Sequence, residues 1–130
     1  MRVNMIKKQT ITSNKGIYFP LMNQKGLKGY LTPFFAGHLA LDHDHYVLAP
    51  TSERDLYKPS SRNVMFFIDG KRYDLNGQLE YQQNKPFDYE TGYGYQKVTR
   101  QEDCVEIETT SFLVSETNTE RHLIKVTNTS

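Results

Sequence analysis

The sequence predicts an all-β fold, an antiparallel sandwich with at most one short helix. Three observations carry this. Gly16, Pro20, Gly26, Gly29, Pro33, Gly37, Pro50, Pro59, Gly70, Gly77, Pro86, Gly92 and Gly94 cut the chain into short runs with little room for a helix of ordinary length. The last third alternates with period two over a length that a helix cannot reproduce. Asp69-Gly70, set between two strand-like runs, is a hairpin signal.

Taken in order, residues 16–21 (GIYFPL) form an apolar and aromatic strand, and Pro20 assigns it to a sheet edge because it lacks an N–H. Residues 37–41 (GHLAL) put Leu39 and Leu41 on one face, and 46–49 (YVLA) return after a polar turn. The one plausible helical turn is 51–57, with Thr51 or Ser52 as cap and Glu53 in its first turn. Residues 64–68 (VMFFI) are apolar throughout, the pattern of a strand covered on both faces, and 71–75 (KRYDL) return from the Asp-Gly turn. Residues 93–99 alternate, 101–103 turn, and 105–114 place Val105, Ile107, Thr109 and Ser111 on one face against Glu106, Glu108 and Thr110 on the other. Phe112 and Val114 add apolar bulk to that second face. After a loop at 115–120, residues 121–128 align His122, Ile124 and Val126.

A chain of 130 residues makes one domain, here 1–130 with 1–15 as an extended N-terminal arm. Sixteen Lys+Arg balance fifteen Asp+Glu, so there is no basic footprint for nucleic acid. No apolar run approaches the roughly 18 residues that span a bilayer, and the basic start of the chain lacks an apolar continuation, so neither membrane nor signal peptide is expected. The single Cys104 forms no internal bridge and no cysteine zinc cluster. A soluble, reduced, cytoplasmic protein without a cofactor is the expectation.

Candidate chemistry is sparse. His38, His43 and His45 lie close together, and Asp42-His43-Asp44-His45 could offer imidazoles and carboxylates to a metal, but the same residues suit a polar hairpin turn. The turn is the reading adopted, with no metal site. Cys104 lies beside Asp103 and Glu102, whose charge raises a thiol pKa and disfavours a nucleophile. Neither a Gly-x-Ser-x-Gly elbow nor a phosphate-cradling loop occurs. Phe87-Asp88-Tyr89-Glu90-Thr91-Gly92-Tyr93-Gly94-Tyr95 is more informative. Tyrosine faces stack on the C–H face of a pyranose while carboxylates accept hydrogen bonds from its hydroxyls. That nominates Asp88, Tyr89, Tyr93 and Tyr95 for carbohydrate contact, although alternate tyrosines also serve as core and the chain has no Trp. Arg62, after Ser60-Ser61, is nominated too, since a guanidinium clamps a carboxylate or phosphate bidentately; a plain loop is the competing reading.

At these residues the sequence resembles the N-terminal β-sandwich region of cellobiose-phosphorylase-type glycoside phosphorylases. One block runs through YFPLMNQKGLKGYLTP, GHLAL and YVLAPTSERDLYKPSSRNVMFFIDG, and a second from Tyr89 through YETGYGYQKVTRQEDCVEIETTSFLVSETNTERHLIKVTNTS. The resemblance implies a galactose-mutarotase-like sandwich associated with carbohydrate binding and dimer contacts. Such enzymes phosphorolyse β-linked glucosides with inversion, in a separate α-helical barrel to which nothing in these residues corresponds. No catalytic residue is therefore carried over. Expected partners are a β-glucoside-like carbohydrate and a second copy, paired through sheet edges. The sandwich of the resembled enzymes continues past the point where Ser130 ends this sequence, which would leave an edge open to strand addition. Two alternatives stand beside this. One is mutarotase-like proton transfer by His38 or His122 with Glu106 or Glu108; the other is a structural remnant that self-associates and binds nothing.

Overall fold

The computed structural model describes residues 7–11, 18–42, 44–48, 62–75 and 85–130. Among these there are eleven strands and no helix. The strands are β1 (Lys7–Ile11), β2 (Phe19–Met22), β3 (Lys28–Leu31), β4 (Gly37–Ala40), β5 (Tyr46–Leu48), β6 (Met65–Ile68), β7 (Lys71–Asp74), β8 (Phe87–Gly92), β9 (Tyr95–Glu102), β10 (Val105–Leu113) and β11 (Glu120–Asn128). They pair antiparallel in a five-stranded sheet, β1-β8-β9-β10-β11, a four-stranded sheet, β2-β3-β4-β5, and the hairpin β6-β7. The all-β, sandwich-like fold expected from the sequence is what forms.

Alternation in β10 builds the interior. Val105, Ile107, Thr109, Ser111 and Leu113 are buried, while Glu106, Glu108, Thr110 and Phe112 face outward and stay half-covered. Val105, Ile107 and Leu113 pack with Leu21, Leu27, Leu31, Phe35 and Leu39 from the four-stranded side and with Leu75 after β7. Phe66, Ile68 and Ile124 lean on this core. A second cluster, Phe34 with Phe87, Tyr89 and Val98, closes the β8–β9 end. Each fully buried side chain of this size contributes about 1.5–3 kcal/mol, and the two clusters join the layers that single strands could not hold together.

Several local expectations hold. Asp69 and Gly70 have φ of 51° and 77°, the left-handed pair that a two-residue hairpin of this hand requires. Pro20 lies in β2, the outermost strand of its sheet. Others need correction. VMFFI is not covered on both faces: Phe66 and Ile68 point to the core, but Met65 is 52% and Phe67 70% exposed. A two-stranded hairpin lying against a sheet has only one face to bury, whatever its composition. Leu41 falls beyond β4 and is exposed instead of sharing the buried face of Leu39. Tyr93 and Gly94 are the β8–β9 turn, so the strand begins at Tyr95, and the β9–β10 turn is Asp103-Cys104 instead of 101–103. Strands β1, β3 and β8 form where the sequence pattern signals no strand. The helical turn at 51–57, His43, Ser60, Ser61 and most of the N-terminal arm lie outside the described residues.

Candidate functional site

One open groove of about 650 Å³ lies at the end of the sandwich where the β2–β3 turn, the β8–β9 turn and the end of β10 meet. Antiparallel register places Tyr95 of β9 directly opposite Phe112 of β10 on the outer face. Tyr93, at the hairpin tip, is 86% exposed. These three rings, with Met22, line a mainly apolar trough. Asn23, Gln24, Thr110 and Ser115 complete its rim.

Each wall has a local cause. Gly92 has no side chain because a Cβ there would lie 2.1 Å from the Tyr95 ring, so the glycine lets that ring lie across β8. The Tyr95 hydroxyl then donates to Glu90 Oε2 at 3.1 Å, which fixes the ring. Gly94 takes φ of 72° and lets the hairpin close beneath Tyr93. Asn23 builds the opposite wall. Its Oδ1 accepts from the backbone N–H of Lys25 and Leu27, and its Nδ2 donates to the carbonyls of Val114 and Thr117. Gln24 N–H adds a bond to the Ser115 carbonyl. One asparagine thus ties the β2–β3 turn to the β10–β11 loop.

The five nominated residues do not converge. Tyr93 and Tyr95 line the groove; Asp88, Tyr89 and Arg62 do not. Asp88 lies farther along the outer face of β8 and accepts a hydrogen bond from Thr10 Oγ1 at 2.8 Å. Tyr89 is core, 7% exposed, with its hydroxyl donating to Gln96; burial pushes its phenol up to about 12, so it remains a donor. Arg62 does clamp a carboxylate bidentately, but an internal one: Nε and Nη2 each lie 2.8 Å from an oxygen of Glu120. It also donates to the carbonyls of Phe35 and His38, and is buried. Met22, Asn23, Gln24 and Phe112 were missed. Phe112 had a signal, since it is the bulky apolar residue on the otherwise polar face of its strand.

The histidines have other places. Glu120 Oε1 lies 2.7 Å from His122 Nε2, and His122 Nδ1 lies 2.8 Å from Ser111 Oγ. This Ser–His–Glu chain has hydrogen-bond reach, but Ser111 is 1% exposed on the inner face of β10. It acts as a buried polar brace between β10, β11 and the Arg62 segment. Glu106 and Glu108 lie on the opposite, outer face of β10, so neither meets His122. His38 belongs to the other sheet, edge-on to Tyr30 at 4.6 Å and Tyr46 at 5.9 Å; burial and the Arg62 charge hold its pKa below the usual histidine value. Asp42 Oδ1 accepts from the N–H groups of Asp44 and His45 and meets His45 Nδ1 at 2.7 Å, which makes the segment a polar turn. Among the described residues no three His, Cys, Asp or Glu side chains gather to hold a metal ion, and no helix is long and apolar enough to cross a membrane.

Comparison with known proteins finds no family model that matches the chain and no curated protein that is similar to it.

Proposed function

We propose that this chain is a non-catalytic carbohydrate-binding β-sandwich, the counterpart of the N-terminal region of a cellobiose-type glycoside phosphorylase. Its groove takes a neutral, β-glucoside-like sugar, and the molecule self-associates through a free sheet edge. The observation that carries the sugar reading is Tyr93, 86% exposed above a trough that Tyr95 and Phe112 also line. An aromatic ring left in water gains by covering itself, and the flat C–H face of a pyranose is a shape-matched cover. Gln24, Thr110 and Ser115 at the rim supply hydrogen-bonding groups for hydroxyls.

Titrating neutral gluco-oligosaccharides while following tyrosine fluorescence tests this. The expected result is saturable binding that Tyr93→Ala weakens at least tenfold, with an unchanged circular-dichroism spectrum. No response at millimolar sugar, or equal binding by Tyr93→Ala, would refute it.

A further inference from the structure

The self-association part of that reading acquires a definite strand and register from the edges. Among the described residues, β11 pairs only with β10, and no strand lies on its far side. Its nine residues stay in unbroken register with β10 and contain no proline and no bulge. The other edges are shorter or interrupted, and the hairpin strands β6 and β7 have only four residues each. β2 carries Pro20, which lacks a donor. β5 has three residues, with a register shift where it meets β4. β1 has five residues, against nine in β11. An edge that is long and regular is the one most open to strand addition, and β11 is that edge even with Arg121 and Lys125 on it. Leu123 and Val126 are exposed on it, 54% and 43%.

A two-fold axis normal to the sheet keeps the inner face of one copy continuous with that of its mate. Pairs across the axis must then join residues of the same face, which on β11 means even with even and odd with odd. Centring the axis on Leu123 sets Arg121 opposite Lys125 twice, and centring it on Lys125 sets that lysine against itself. Like charges directly opposed are unfavourable. Centring on His122 or Val126 shortens the overlap. Centring on Ile124 pairs all nine residues without opposing like charges: Ile124 meets itself, His122 meets Val126, Leu123 meets Lys125, Arg121 meets Thr127 and Glu120 meets Asn128.

We propose that two copies of this chain join antiparallel along β11 about Ile124, making one continuous sheet across the dimer. Leu123 and Val126 become covered, and the backbone groups on the far side of β11 are paired. The proposal rests on the self-association reading and is independent of sugar binding.

Position 123 separates the registers. With Lys125 of the other copy opposite, Leu123→Lys creates two like-charge pairs, and Leu123→Glu creates two opposite-charge pairs. Sedimentation of the chain at micromolar concentration should find a dimer. Leu123→Lys should weaken it about tenfold, and Leu123→Glu should leave it within a factor of a few. Circular dichroism verifies that each variant folds; Ile124→Cys in a Cys104→Ser background, joined by a short thiol cross-linker, gives the same readout should either fail. Equal weakening by both Leu123 variants, or a dimer indifferent to both, would overturn the Ile124 register. So would a dimer whose Ile124→Cys form does not cross-link. A monomer at every concentration would overturn the register and self-association together, leaving the sugar reading in place.

Discussion

Arg62 shows what a single residue's chemistry reveals and what it conceals. The sequence offers Arg62 a carboxylate clamp only beside the plain-loop reading; that the carboxylate is the protein's own Glu120, 58 residues away, is not legible, because only the folded layers bring them together. Removing one partner of a buried ion pair leaves the other uncompensated. Arg62→Met is expected to destabilise the fold by about 3–5 kcal/mol, measured by denaturant unfolding. Acid should act at the same places. Burial pushes the Glu120 carboxyl up, but the hydrogen bonds and charges of His122 and Arg62 outweigh it and hold it below the usual range. Hydrogen bonds from Arg72 and Asn63 likewise hold Asp74 low, against its burial. Both groups titrate lower folded than unfolded. Their stabilisation is therefore present above the ordinary carboxylate range of about pH 4 and is lost as pH falls through the lowered folded values. The unfolding midpoint should fall steeply below about pH 4, and less steeply in Asp74→Asn, which no longer titrates there.

At the level of strands and turns, legibility follows how well the two faces differ. In β10, valine and isoleucine against glutamate announce the buried side, and the structure agrees. In β9, Gln96, Val98, Arg100 and Glu102 alternate with Tyr95, Lys97, Thr99 and Gln101, and the set with two charged residues is the buried one. It is tolerated because most of its polar groups are met, Arg100 Nε being the exception. Gln96 donates to the Thr32 carbonyl, Arg100 donates to those of Leu75 and Pro33 while its guanidinium lies 4.1 Å from the Phe34 ring centre, and Glu102 pairs with Lys85 at 3.0 Å. Composition could not foretell this, since the partners come from distant turns. VMFFI erred the other way, because hydrophobicity does not say how many layers are available to cover a strand. The groove depends on elements in the same manner: its aromatic wall was half-visible in the Gly-Tyr-Gly-Tyr segment, whereas the Asn23 turn opposite carried no sign of its role. Asn23→Ala removes four hydrogen bonds at once. It should cost about 1–3 kcal/mol in thermal or chemical unfolding, and it should also weaken sugar binding by loosening that wall.

For the molecule as a whole, two sheets and a hairpin meet over one apolar interior, and the exposed aromatic groups fall in separate places. Tyr93, Tyr95 and Phe112 mark the groove at the end of the five-stranded sheet, while Tyr18, Tyr30, His38 and Tyr46 form a row of ring contacts in the four-stranded one. The two places are well separated, and the first holds the open groove of about 650 Å³. That difference allows the carbohydrate reading to be examined by position instead of by affinity alone. The most direct measurement is a two-dimensional NMR titration of the labelled chain with a neutral gluco-oligosaccharide. The account predicts shifts concentrated at Met22–Gln24, Tyr93–Tyr95, Thr110 and Phe112. Shifts confined to Tyr18, Tyr30 and Tyr46, or none at millimolar sugar, would contradict it.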